Sequence, residues 1–142
     1  MSRVSLHKYF SDIAELVSRR GTCDRKQVGA ILVKDKRILA TGYNGSMPGA
    51  GHCDDIQHLM ENDHCVRTIH AEVNAIAQCA KYGISCDGAI LYCNTFPCWN
   101  CFKTVVSAGI KEIYYTSDYE NAELKDNVFK YANMLNIDLI KL

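Results

Sequence analysis

The chain has no net charge: sixteen lysines and arginines offset sixteen aspartates and glutamates over 142 residues. No global field therefore draws it onto nucleic acid or an anionic membrane, and any phosphate it binds must be held by local groups. Long apolar runs are missing as well. Residues 1–20 carry a charge every few positions, unlike the apolar stretch of a signal peptide, and no later segment approaches a membrane span. The expectation is a cytoplasmic protein with neither membrane nor nucleic acid as partner. Repeats, low-complexity tracts and interdomain linkers are also absent, so one domain over residues 1–142 with a single core is expected at this length.

What the chain does have is sulfur and imidazole, with eight cysteines and five histidines. In a secreted protein the cysteines would suggest a disulfide framework. In a cytosolic one, a CxxC pair with histidines nearby points to metal.

Periodicity places the chemistry. Leu6, Phe10, Ile13, Ala14 and Val17 recur at helical spacing, with Gly21 as the stop, and residues 28–33 and 37–41 read as an antiparallel hairpin about 34–36. Residues 42–66 lose periodicity and read as a long functional loop. Ile69, Val73, Ile76, Ala77 and Ala80 predict the buried face of a second helix, opened by HAE at 70–72. Residues 89–93 form a strand, and Pro97 starts a helix that Gly109 ends. A strand over 111–116, a helix carrying Val128, Phe129, Ala132 and Leu135, and a strand over 137–140 follow. This order implies a three-layer α/β/α sandwich on a mixed sheet of about five strands.

HAE and PCWNC together offer His70, Cys98 and Cys101 as metal ligands, with Glu72 close by. Three nitrogen and sulfur donors with no fourth describe a catalytic zinc site rather than a structural one. In mid-helix, residues two apart point roughly 200° away from each other, so His70 and Glu72 can share a site only at the first turn. A second helix start would deliver Cys98 and Cys101, and both positive helix ends would favour thiolates. One neutral imidazole and two thiolates cancel the charge of Zn²⁺, which leaves Glu72 to take a proton from the attacking water. Taken alone, CxxC also suits a structural half-site or a redox pair, and a zinc-stapled binding protein without catalysis stays open.

The signature resembles that of the zinc deaminases of nucleobases. With TGYNGS at 41–46, CVRTIHAEVNAI at 65–76 and FPCWNC at 96–101, the chain resembles the deoxycytidylate deaminases from about residue 23 to 119. The resemblance implies a cytidine deaminase-like fold. It also implies hydrolysis of dCMP to dUMP and ammonia, feeding thymidylate synthesis, by a homohexamer activated by dCTP and inhibited by dTTP, with Mg²⁺ accompanying a nucleotide effector. A tRNA or other nucleic-acid base deaminase is an alternative, disfavoured by the neutral charge, and a member that also deaminates dCTP is another. By the match, Asn44 would hold the nucleotide, and residues 42–46, Gly45 and Ser46 among them, would shape its pocket or a nearby effector pocket, although Asn-Gly is also an ordinary turn. Arg25 and Lys26 are candidates for the phosphate or for solvated charge. Tyr115 and Tyr119 are candidates for stacking on the nucleotide, with Tyr115 alternatively in the core.

A second zinc is expected as well. Residues 42–66 lack the apolar side chains to fix themselves by packing, and Cys23 aligns with a position that some microbial and viral members use for a structural zinc. The best quartet is Cys23, Cys53, His58 and Cys65, with His64 the substitute and His52 a further donor. Cys79, Cys86 and Cys93 read as incidental buried thiols.

Overall fold

The computed structural model describes residues 1–119 and 122–142. Its elements in order are α1 (Leu6–Ser18), β1 (Gly29–Lys34), β2 (Arg37–Tyr43), α2 (Cys53–Ile56), β3 (Met60–Glu61), β4 (His64–Cys65), α3 (Ala71–Tyr82), β5 (Ile90–Cys93), α4 (Trp99–Ser107), β6 (Glu112–Tyr115), α5 (Lys125–Met134) and β7 (Asp138–Lys141). Ser5 starts α1 from an extended conformation, its hydroxyl accepting the Lys8 N–H at 3.1 Å. That bond satisfies one of the orphan donors of the first turn. Asp35 and Lys36 both take positive φ, as a two-residue turn matched to strand twist requires, and they join β1 to β2.

Five strands form one sheet in the order β2-β1-β5-β6-β7. β1 runs antiparallel to β2 and β5, whereas β5, β6 and β7 are parallel. α1 covers one face through Phe10 and Ala14, packed on Ile31, Val33 and Tyr92. α3, α4 and α5 cover the other, where Leu32, Leu91, Phe102, Val105, Ile113 and Val128 are almost fully buried. Each such side chain contributes about 1.5–3 kcal/mol of burial. The expected α/β/α layering and mixed sheet are therefore observed.

Two glycines set how closely the helices approach. A Cβ on Gly29 would lie 2.1 Å from the Ala14 carbonyl oxygen of α1, and one on Gly42 would lie 2.2 Å from the Ala71 carbonyl oxygen of α3. Each helix backbone thus rests directly on a strand backbone, with no side chain between them. This contact corrects the expected face of α3. Ala71, Glu72, Ala75 and Cys79 are buried, Val73 and Ile76 are half-buried, and Ala77 and Ala80 are exposed. Seating a helix on a glycine demands small residues underneath, and the larger apolar side chains are displaced to the flank.

Three other expectations change. Residues 42–66 are not irregular throughout, since α2 and the β3/β4 hairpin lie within them. Phe129 and Leu135 are exposed, leaving Val128 and Ala132 as the buried residues of α5. α1 is capped at Arg19, two residues ahead of Gly21.

Candidate active site

Two helix starts converge. His70 is the N-cap of α3, and its extended backbone places Glu72 in the first turn. Cys98 is the N-cap of α4, with Pro97 one residue ahead of it, and its sulfur accepts the Cys101 N–H at 3.5 Å. His70 Nδ1 lies 3.2 Å from Cys101 Sγ and 3.5 Å from Cys98 Sγ, and the three donor atoms all lie within 4.8 Å of one another. A tetrahedral zinc with Zn–S of about 2.3 Å and Zn–N of about 2.0 Å separates nitrogen from sulfur by about 3.5 Å. The residues present therefore fit zinc.

Electrostatics couple the same three residues. A hydrogen bond from Cys101, aided by His70 and the Cys101 N–H, outweighs burial and draws the Cys98 thiol down to about 4. Cys101 is pushed up by the same bond to Cys98 and by burial. The bond to Cys98 also raises His70, against the effect of burial.

Glu72 is 3% exposed, and its Oε1 accepts a hydrogen bond from Cys93 Sγ at 3.4 Å. The sequence alone reads Cys93 as an incidental buried thiol. Its place at the end of β5, a strand between two neighbours, brings it against the carboxylate, a contact that sequence spacing does not reveal.

A cavity of about 940 Å³ opens over His70, Glu72 and Cys98, within the range of small-molecule sites. Arg25, Lys26, Asn44, His64, Trp99 and Tyr119 are among its lining residues. Lys26 Nζ sits 3.2 Å from the Tyr119 ring centroid, and burial lowers its pKa against the opposing charges of Glu72, Cys93 and Cys98. Arg25 is exposed, and its Nη2 donates to the Asp63 carbonyl at 3.2 Å. Asn44 is buried, with Oδ1 accepting the Val28 N–H at 2.8 Å and Nδ2 donating to the Lys26 carbonyl at 2.5 Å. Each end of that amide keeps one further bonding direction. Trp99 also stands edge-on to Tyr131 at 5.3 Å, and sequence reasoning passed it over because nothing in PCWNC marks it as lining.

Not every candidate reaches the cavity. Gly45 and Ser46 do not line it: Gly45 forms a backbone bridge with Ile69, fixing the approach to His70, and the Ser46 hydroxyl is buried. Tyr115 is a core residue, 5% exposed and edge-on to Phe96 at 5.2 Å. It alternates onto the covered face of β6, among the core residues rather than in the lining of the cavity.

A second donor cluster lies beside this cavity. Cys23, Cys53, His58 and Cys65 bring their donor atoms within 4.8 Å of one another, with Cys23 Sγ 3.5 Å from His58 Nδ1 and Cys53 Sγ 3.6 Å from Cys65 Sγ. His64 is outside this group and lines the cavity instead, while His52 caps α2. His58 Nε2 meets Asp24 Oδ1 at 3.1 Å. Burial opposes ionisation of Cys65, but hydrogen bonds from the backbone of Arg67 and Leu59 and from His58 bring it down to about 6. Burial and bonds to Cys65 and Cys23 push Cys53 up to about 12.

An imidazole and two thiols at paired helix starts, with a buried carboxylate alongside, define a zinc-dependent hydrolytic deaminase. Residues 4–117 match the cytidine and deoxycytidylate deaminase zinc-binding region. The chain belongs to that family. It is 47% identical over 134 residues to ComE operon protein 2 of Bacillus subtilis, covering 94% of this chain and 71% of the relative. It is 36% identical over 126 residues to the deoxycytidylate deaminase of Schizosaccharomyces pombe, covering 82% of this chain but 38% of the longer yeast protein. The crystal structure of the dCMP deaminase of cyanophage S-TIM5 in complex with dCMP and dUMP superposes with a TM-score of 0.83 at 31% identity, over 100% of both chains. No helix among the described residues is long and apolar enough to cross a membrane.

Proposed function

We propose that the protein hydrolyses dCMP to dUMP and ammonia, the activity residing in a single domain. The observation that carries this is the buried Glu72 carboxylate beside His70, Cys98 and Cys101 on the floor of a nucleotide-sized cavity. It is supported by the full-length likeness to a deaminase whose crystal structure contains dCMP and dUMP.

His70, Cys98 and Cys101 would hold the zinc, which supplies Lewis-acid activation of the attacking water. Glu72 takes a proton from that water and delivers it to the pyrimidine N3 as the water oxygen bonds to C4. The carboxylate then passes the second proton to the exocyclic nitrogen, so that the C4–N4 bond breaks and ammonia leaves as C4 becomes a carbonyl. Asn44 holds the sugar with the unused directions of its amide, Tyr119 borders the base, and Arg25 and Lys26 bind the phosphate. Ammonia release from cytidine, dCMP, CMP, dCTP and adenosine is the test. Turnover confined to dCMP supports the reading, and turnover confined to adenosine or cytidine overturns it. Because Arg25, Lys26 and His64 line one cavity, dCTP as an additional substrate is the second reading.

A second, structural zinc at Cys23, Cys53, His58 and Cys65 belongs to the same proposal. Its support is a four-donor set with sulfur and nitrogen spacings suited to a closed tetrahedron. Control by dCTP and dTTP, Mg²⁺ with the effector phosphates and a hexameric assembly are also proposed, resting on the resemblance across residues 23–119, and a cytoplasmic setting is proposed from the charge-dotted residues 1–20.

A further inference from the structure

Cys93 belongs to neither donor cluster among the described residues, yet its thiol touches the residue assigned to proton transfer. We propose that the Cys93 S–H donates a hydrogen bond to Glu72 Oε1 and holds that carboxylate in its working orientation, making Cys93 a positioning residue for the deamination. The inference rests on Glu72 acting as the proton carrier.

Geometry comes first. Sγ and Oε1 are 3.4 Å apart, and the two residues are 1% and 3% exposed, so the bond is shielded from bulk solvent. Cys93 is also rigidly mounted. It pairs with Ala30 of β1 on one side and with Tyr115 of β6 on the other. Glu72, by contrast, hangs from the first turn of α3 on a long side chain, and a bond from a central strand is what limits its rotation.

The direction of the bond is also settled. Burial, reinforced by the negative charge of Glu72, holds Cys93 well above the usual thiol range, so the sulfur keeps its proton and the carboxylate accepts. The competing groups are otherwise engaged. Cys101 also neighbours Glu72, and it is one of the three residues that would hold the metal. Lys26 lies over the Tyr119 ring. Cys93 is then the neutral donor left to the carboxylate.

The test compares Cys93→Ala, Cys93→Val and Cys93→Ser in the zinc-loaded enzyme. Alanine and valine remove the donor, valine keeping the space filled, and serine keeps a donor of similar size. We expect alanine and valine to lower kcat for dCMP by about three- to tenfold, with KM, zinc content and Tm near wild type, and serine to stay within about twofold. A second measurement uses no turnover: in the zinc-loaded protein, the S–H stretching band that is missing from Cys93→Ala should shift on Glu72→Gln, because the acceptor loses its charge. Full kcat in both Cys93→Ala and Cys93→Val, a serine variant as impaired as alanine, or an S–H band indifferent to Glu72→Gln would each overturn the assignment. Loss of the Cys93 effects while Glu72→Gln remains inactive removes this inference alone. An active Glu72→Gln enzyme removes the proton-transfer reading beneath it.

Discussion

Replacing Gly42 with alanine tests whether the active site depends on the contact between α3 and the sheet. The added Cβ would meet the Ala71 carbonyl oxygen at 2.2 Å, the Ala75 nitrogen at 2.6 Å and the Ala75 Cα at 3.1 Å, where ordinary contact begins near 3.4 Å. All three atoms are backbone, so no side chain can swing aside, and the helix must withdraw by about 1 Å. Overpacking of this kind costs about 1–3 kcal/mol, a drop in Tm of several degrees for a chain of this size. The larger effect falls on catalysis. Ala71 lies between His70 and Glu72, so the displaced atom belongs to the segment carrying both, while Cys98 and Cys101 stay on α4. A misplacement of about 1 Å costs roughly 10²-fold in rate. Steady-state deamination of dCMP and thermal unfolding of the same preparation provide the readouts. Wild-type kcat with wild-type Tm would refute the argument, as would a loss of stability with no loss of kcat.

Other outcomes follow from the same geometry. Glu72→Gln should retain zinc and lose about 10²–10⁴-fold in kcat, measured as ammonia release beside metal analysis. Cys53→Ala should lower the metal content from two zinc ions per chain to one and lower Tm; one zinc in both proteins would sink the second site. Alkaline stability should report on Tyr92, whose hydroxyl burial raises to about 12, helped by the charges of Tyr114 and Glu112, from an ordinary 10. Between those values the folded state holds the proton more tightly than the unfolded one, so stability falls as pH rises across the window, by at most about 2.7 kcal/mol. Tyr92→Phe should flatten that part of a denaturant-midpoint profile.

Much of the molecule was legible from residue order. Short apolar runs and turn chemistry located the main-sheet strands to within a few residues, because a strand buried on both faces and a two-residue turn are specified locally. The zinc donors were legible for a different reason: helix starts are local features, and HAE and PCWNC each sit on one. Packing distance was not legible. The face of α3 follows from Gly42, nearly thirty residues away, and counting large apolar side chains favoured the flank. Tyr115 and Cys93 show the same limit from opposite sides, since strand position decided that a suspected ligand contact is core and that an apparently incidental thiol meets Glu72. Within residues 42–66, α2 and the β3/β4 hairpin are too short to leave a periodic trace.

Trp99, in the wall of the cavity and next to Cys98, is the chain's single tryptophan. Its fluorescence therefore comes from one place, with no second indole to dilute the signal. Metal loading at the neighbouring thiol and entry of a pyrimidine both change the polarity and quenching around that ring. Emission intensity and wavelength can thus report metal and nucleotide binding in the unlabelled protein, on the timescale of mixing.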